Sequence, residues 1–447
     1  MIGLGIEGID LVHFLAAQGA HVTVSDARPA EALGNALAAI ADVDATLSLG
    51  ANRPEDTREA DCVFISQGVP RDLPAIEAAR AAGVPLSSMA QLFFDLCPAP
   101  VAAVTGSSGK TTTTALVGAM LGASDLDYVV GGNIGVGLLG LLDHIEPQTK
   151  VMIELSHTQL ESMERSPHLA CVTNVTPNHL DRYSWTAYVA LKRRIFQFQT
   201  AEDTCVFNLD NEVSAAFSRE APGRVAYTSA TRPLPGDGVA LLGDTVTRFD
   251  AGQAFAVLPR RDIQLRGSHN VENVLSAVAL ASRLGVSDPV AARAIRAFTG
   301  VPHRLEPVAT INGADYVNDS IATTPERTLA GMRSFEQPLV LILGGRHKYL
   351  PVGELAGEAV RRCRAVIAFG EAGEMFASAV RDASESASLP IEQVQDVDAA
   401  VSAASRYARP GDAVLFAPAG SSFDAYPNFE RRGEAFREAV RRLEGGA

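Results

Sequence analysis

The chain has 447 residues, 47% hydrophobic and 20% charged, with a formal net charge of -14; at roughly 150 residues per domain, that length suggests about three domains. The acidic balance and the lack of a long basic run exclude the electrostatic footprint of a nucleic-acid or anionic-membrane binder, so a small-molecule substrate is expected and neither nucleic acid nor membrane is expected as a partner. No stretch is long and uncharged enough to span a bilayer.

The chain opens with Gly3, Gly5 and Gly8 in a GxGxxG spacing. Glu7 and Asp10 interrupt the apolar start and no basic segment precedes it, so it reads as a nucleotide loop rather than a signal peptide. A helix and then a strand ending at Asp26 would imitate a dinucleotide fingerprint, seating a pyrophosphate on a helix N-terminus with Asp26 and Arg28 addressing a ribose or base. Taken alone, the motif reads equally well as a structural glycine turn. Only Met1 and Ile2 precede Gly3, so the first strand is expected to be truncated.

Further along, β-branched runs alternate with Ala/Leu-rich helical stretches, the pattern of parallel sheets covered by helices, so the fold class is α/β. The runs at 21–26, 62–66, 101–106, 151–155, 171–175, 339–345, 365–370 and 413–420 read as strands. Pro98 and Pro100 place one domain boundary near residue 88, and Gly300 and Pro302 place another. Between 225 and 266 short pieces with turn residues suggest antiparallel strands appended to the central sheet. The five cysteines, Cys62, Cys97, Cys171, Cys205 and Cys363, are scattered singly. They read as reduced, mostly buried thiols in a cytoplasmic protein.

The segment VAAVTGSSGKTTTTALVGAML at 101–121 is the most informative. It reads as a strand, a Gly-rich loop, a Lys-Thr pair and a helix. Loop and helix N-terminal amides would cradle phosphate oxygens, with Lys110 on the β/γ-phosphates and the Thr111 hydroxyl on Mg²⁺. The loop, Gly106-x-x-Gly109, is shorter than the usual phosphate loop; the bland alternative is a Gly/Ser turn with a helix cap. Glu154, His179 and Asp181 are candidate metal ligands near a triphosphate. In isolation His179 would read as a satisfied loop histidine and Lys192 as a solvated helix residue.

Joined in order, TGSSGKTTTT, GGNIG (131–135), ELSHTQLE (154–161), NVTPNHLDRY (174–183), GSHNVENVLSAVALA (267–281), GVPHRLE (300–306), NDSIATTPE (318–326), LGGRHK (343–348) and APAGSSFDAYPNFERRG (417–433) resemble the Mur ligases over essentially the whole chain. The HRLE and NFERRG segments most resemble the glutamate-adding branch, MurD, rather than those adding alanine, diaminopimelate or a dipeptide.

The resemblance implies three domains: an N-terminal Rossmann-like domain (1–87), a central P-loop ATPase-like domain with a mostly parallel sheet (88–299) and a C-terminal Rossmann-like domain (300–447). Gly5, Ile6, Glu7, Asp26, Arg28, Asn133 and His179 would hold the UDP-substrate, so the dinucleotide appearance would be deceptive. Gly106, Ser107, Ser108, Gly109, Lys110, Thr111, Thr112, Asn270, Arg304 and Asp319 would hold ATP. Thr323, Lys348, Ser422 and Phe429 would receive glutamate. Thr111, Glu154, His179 and Lys192 would serve two Mg²⁺ ions, Lys192 as a carbamate, and Lys110, His179 and Lys192 would be catalytic. The implied substrates are UDP-N-acetylmuramoyl-L-alanine, glutamate and ATP, joined by a monomer through an acyl phosphate during peptidoglycan synthesis.

Two departures bear on the glutamate isomer. Ile321 stands where many D-glutamate-adding members have lysine, and SHTQLE (156–161) stands where they have SSFQLE. D-glutamate is expected, with L-glutamate the alternative. A folate polyglutamate-type ligase, a non-catalytic nucleotide-binding protein and an NAD-dependent dehydrogenase are competing readings.

Overall fold

The computed structural model describes residues 1–132, 137–178, 182–265, 267–347, 350–384 and 389–445, with only the backbone of Ile6. The chain divides into two compact units, Met1–Phe298 and Thr299–Ala447.

The first unit begins with parallel strand pairs. Val22–Asp26 lies beside Ala45–Leu49, and Val63–Phe64 beside Leu86–Ser87. The expected first strand is a single residue, Ile2, which forms parallel bridges to both Ser25 and Ile65. Those bridges also explain why the run at 62–66 is a strand only over Val63–Phe64. Ile65 pairs with Ile2 instead.

The same unit holds a nine-stranded sheet. Its order is Gln253–Pro259, Thr245–Asp250, Gly238–Leu242, Arg224–Ser229, Thr204–Asn208, Leu169–Val172, Val101–Thr105, Lys150–Glu154 and Tyr128–Gly132. Pairing is parallel except for the two antiparallel ladders that join the first three strands. Val101–Thr105 sits inside and every residue in it is buried, as expected of a strand covered on both faces. One face packs on Lys110–Gly122 and Ser268–Arg283, whose Val117, Met120, Val274 and Val278 are at most 1% exposed. This is an α/β fold with a large, mostly parallel sheet and appended antiparallel strands.

The run at 171–175 departs from its expected form. The strand is Leu169–Val172, starting two residues earlier and ending before Thr173. Residues 173–176 peel away because their polar groups bind a neighbouring loop, described below.

The second unit carries a six-stranded sheet ordered Glu306–Ile311, Ala314–Asn318, Ala413–Ala419, Leu339–Gly344, Cys363–Phe369 and Ile391–Val394. Only the first pair is antiparallel. Phe416 stacks between Phe436 (ring centroids 4.6 Å) and Phe369 (5.9 Å), pinning the helix Phe429–Gly445 to the sheet. All five cysteines are free; Cys171 and Cys205 are buried and the others half-buried. Among the described residues no helix is long and apolar enough to cross a membrane.

Phe416→Ala empties the centre of that stack and is expected to destabilise the second unit by about 3–5 kcal/mol. Hydrogen exchange of strand amides in 339–344 and 413–419 under increasing urea reads the loss, with exchange in 101–105 unchanged.

Candidate active site

The strand Val101–Thr105 runs into a loop, residues 106–109, and the helix Lys110–Gly122 starts at its end. Gly109 has φ +81°, and a Cβ there would lie 2.2 Å from Asn273 Oδ1. Only glycine allows both that backbone and that approach. Asn273 in turn donates from Nδ2 to Asn270 Oδ1 (2.9 Å), so Asn270 is tied to the loop through a residue the sequence reading did not single out.

The loop's other flank is braced by residues 173–176. Ser108 N donates to Asn174 Oδ1 (3.0 Å), Asn174 Nδ2 to Ser108 O (3.3 Å) and Thr173 Oγ1 to Ser108 O (2.7 Å). Ser107 N donates to Asn174 O (2.8 Å), and Ser107 Oγ lies 3.1 Å from the Tyr188 hydroxyl. Lys110 folds back so that Nζ donates to Gly106 O (3.0 Å). No side chain caps the start of the helix, and a helix N-terminus is where an anion is received.

Behind the loop lie two buried charged side chains. Glu154 ends the strand beside Val101–Thr105 and Lys192 sits mid-helix in Trp185–Gln197; each is 1% exposed. Lys192 is therefore no solvated helix residue. Its Nζ donates to Thr105 Oγ1 (3.1 Å) and lies 5.4 Å from the Tyr188 ring centre. Burial, then the charge of Lys110, push its pKa well below 10.5, against the opposing pull of Glu154. Trp185, half-exposed, stacks on Tyr188 with centroids 6.3 Å apart.

Thr111 and Thr112 lie half-buried in the first turn of the helix. The Thr111 hydroxyl and Glu154 carboxylate are hard oxygen donors, the class magnesium takes, and so fit that ion. Among the described residues no group of three or more His, Cys, Asp or Glu side chains gathers into a metal site. His179, Asp181, Asn133 and Lys348 lie outside the described residues.

At the N-terminal loop, Gly8 lets the helix Ile6–Ala17 approach Gly3, whose carbonyl oxygen would be 2.4 Å from a Cβ at Gly8. Gly5 is the extended residue before that helix. Asp26 accepts from Leu4 N (2.8 Å) and from Arg28 Nε and NH2 (3.0 and 2.8 Å). Burial opposes ionisation of Asp26, but the Arg28 and Leu4 donors outweigh it and lower its pKa. Glu7 accepts from the amides of Gln67 and Gln159.

In the second unit, Asp319 is buried and pushed up to about 6 by desolvation, which Leu305 N, Arg304 and Arg327 oppose. Arg304 itself is exposed. Arg432, which was not singled out from the sequence, links the chain segments in which Thr323, Ser422 and Phe429 lie. Arg432 is fully buried and donates to Ser320 O (2.9 Å), Ser320 Oγ (3.1 Å) and Gly420 O (3.0 Å). Ser320 Oγ donates to Phe429 O (2.8 Å), and Ala419 N to Ala322 O (2.9 Å). Burial lowers the Arg432 pKa to about 10. No spacing rule separates Arg432 from its exposed neighbour Arg431; only burial does.

Comparison with known proteins covers the whole chain. Residues 1–88 match the Mur ligase MurD-like N-terminal domain, 104–281 the Mur ligase middle domain and 303–420 the Mur ligase glutamate ligase domain. A UDP-N-acetylmuramoylalanine–D-glutamate ligase of Symbiobacterium thermophilum is 40% identical over 446 residues, covering 99% of this chain and 97% of the relative. Its namesake in Acetivibrio thermocellus is 38% identical over 449 residues, covering 99% and 96%. Two solved structures share the fold. UDP-N-acetylmuramate-alanine ligase MurC of Thermotoga maritima has a TM-score of 0.57 at 19% identity, covering 100% of this chain and 99% of that one. The pseudomurein peptide ligase type C of Methanothermus fervidus has 0.54 at 17%, covering 99% of each.

Gly109→Ala is expected to weaken binding of a magnesium nucleoside triphosphate at least about tenfold, since the methyl group must displace Asn273 or rotate the loop amides. Calorimetric titration measures it. Lys192 also carries a pH dependence. The unfolded chain holds a proton there that the folded chain resists, so stability rises with pH from the lowered folded pKa toward 10.5. Lys192→Met in bicarbonate-free buffer should raise the melting temperature, by at least about 2 °C at pH 6 and by less at pH 9.

Proposed function

Because the chain belongs to the Mur ligase family, we propose that it is the ATP-dependent ligase joining D-glutamate to UDP-N-acetylmuramoyl-L-alanine, a step of peptidoglycan synthesis. The observation that carries this reading is end-to-end identity of 38–40% with two relatives bearing that activity in their names. The glycine-bounded loop with Lys110, and buried Lys192 and Glu154 behind it, supply geometry suited to the chemistry.

In this reading residues 1–87 grip the UDP part through Gly5, Ile6, Glu7, Asp26 and Arg28, with Asn133 and His179 added from the central region. Residues 88–299 hold ATP at 106–112 and Asn270. Residues 300–447 bring Arg304 and Asp319 to ATP, and Thr323, Lys348, Ser422 and Phe429 to glutamate. The protein works as a cytoplasmic monomer.

A free carboxylate has no leaving group better than oxide. An acceptor carboxylate oxygen therefore attacks the γ-phosphorus in line, the bond to the bridging oxygen of ADP breaks, and an acyl phosphate forms. The glutamate nitrogen next attacks the acyl carbon, loses a proton, and inorganic phosphate departs as the amide forms. Lys110 and the helix N-terminal amides at 109–111 meet the charge on the phosphoryl oxygens, while the amides of Ser107 and Ser108, bound to Asn174, hold the loop in place. Thr111, Glu154 and His179, with Lys192 as a carbamate, would hold magnesium, two ions in the full site, and the bound ions would supply further charge neutralisation. Lys192 is suited to carbamylation because burial lowers its pKa and so favours the unprotonated amine, which can add to carbon dioxide with loss of a proton. The product would be a further carboxylate beside Glu154.

Multiple-turnover ADP release is expected only when UDP-N-acetylmuramoyl-L-alanine and glutamate are both present, and with D- rather than L-glutamate. Lys110→Ala should lower kcat at least about a hundredfold while leaving acceptor affinity within about twofold. Lys192→Ala should lose activity that a small added carboxylate partly restores; normal unassisted turnover would remove the carbamate from the mechanism.

A further inference from the structure

Helix Ile6–Ala17, the loop after Val63–Phe64 and the short helix His157–Leu160 meet in one polar lattice. Glu7 accepts from Gln67 at both oxygens, from the side-chain amide and from the backbone N (3.2 Å), and also from Gln159 Nε2 (3.0 Å). Gln67 Oε1 accepts from Thr158 Oγ1 (2.7 Å) and Ser156 Oγ (3.1 Å). Gln159 Oε1 accepts from Ser156 N (2.9 Å), completing a capping box with Ser156. Ser156, Thr158 and Gln159 are at most 8% exposed.

The orientation of each amide is dictated from two sides. Because hydroxyl or backbone donors occupy each amide oxygen, each NH₂ must face the Glu7 carboxylate. Rotating either amide would turn its oxygen onto the carboxylate, acceptor against acceptor. Among the described residues the carboxylate is held by neutral amides alone. A third link lies nearby, where Arg71 Nε stands 3.4 Å from Glu161.

We propose that Glu7, Gln67, Thr158 and Gln159 form a clasp that sets the position of residues 1–87 on the nine-stranded module, with Thr158 as its positioning residue. The two ends of the clasp are chemically pointed. Glu7 follows Gly5 and Ile6 at the acceptor loop, and Ser156 stands two residues beyond Glu154. The clasp thus fixes the span between the acceptor's grip and the phosphate-transfer site. That consequence rests on the proposed function; the clasp itself does not.

The test uses Thr158→Val, which keeps the branched shape and removes the donor, and Thr158→Ser, which keeps the donor. In the full-length ligand-free protein, Thr158→Val should speed hydrogen exchange in peptides 1–10 and 63–70 about tenfold with 110–122 unchanged, and Thr158→Ser should match wild type. In the ligation assay Thr158→Val should raise KM for UDP-N-acetylmuramoyl-L-alanine about fivefold and lower kcat, with KM for ATP unaltered. Exchange at wild-type rates overturns the clasp. Faster exchange with an unchanged acceptor KM overturns its positioning role. A wild-type protein inert with this acceptor overturns the proposed function instead, while the exchange result still decides the clasp.

Discussion

The glycine loop at 106–109 depends on how closely its backbone passes Asn273. A single methyl group at Gly109 would sit 2.2 Å from that residue's carboxamide oxygen, so the turn, the start of the following helix and the Ser268–Arg283 helix are held in one fixed relation. On the opposite side residues 173–176 act as a strut, with Asn174 both accepting from and donating to Ser108. A loop clamped on two flanks is preorganised, and preorganised donors stabilise developing charge without reorienting during reaction.

Much of this was legible from residue order. The runs expected to end at Asp26, Gly106, Leu155 and Gly345 stop within one residue of the observed strand ends at Asp26, Thr105, Glu154 and Gly344, and of the stretch 225–266 expected to be antiparallel, 238–259 is so while Arg224–Ser229 pairs parallel on both sides. Thr173–Val175 was not legible. By propensity these residues continue a strand, but Thr173 and Asn174 are recruited by Ser107 and Ser108 and the Val175 backbone by Asn211, and tertiary hydrogen bonding overrides the local preference. Short edge strands such as Ile391–Val394 were likewise missed, because four residues carry too little periodicity to register.

Among the site residues, the difference lies between motif and environment. Gly109 and Lys110 announce themselves by spacing. Lys192 and Arg432 do not: each sits in a helix with other basic residues, and only the fold reveals that one faces Thr105 and the other is enclosed by Ser320 and Gly420. Enclosing a guanidinium among carbonyls is costly unless its donors are met. Arg432 therefore holds the 319–323 and 419–422 segments in register, so that Thr323 and Ser422 are presented by a scaffold rather than by mobile loops.

Trp185 is the chain's one tryptophan. Its indole is half-exposed and lies against Tyr188, whose hydroxyl touches Ser107 in the glycine loop at 106–109. Excitation at the red edge of protein absorbance therefore interrogates a single environment, two side chains removed from that loop. The molecule carries its own optical probe of that loop, and rapid-mixing emission records can follow it without any attached dye.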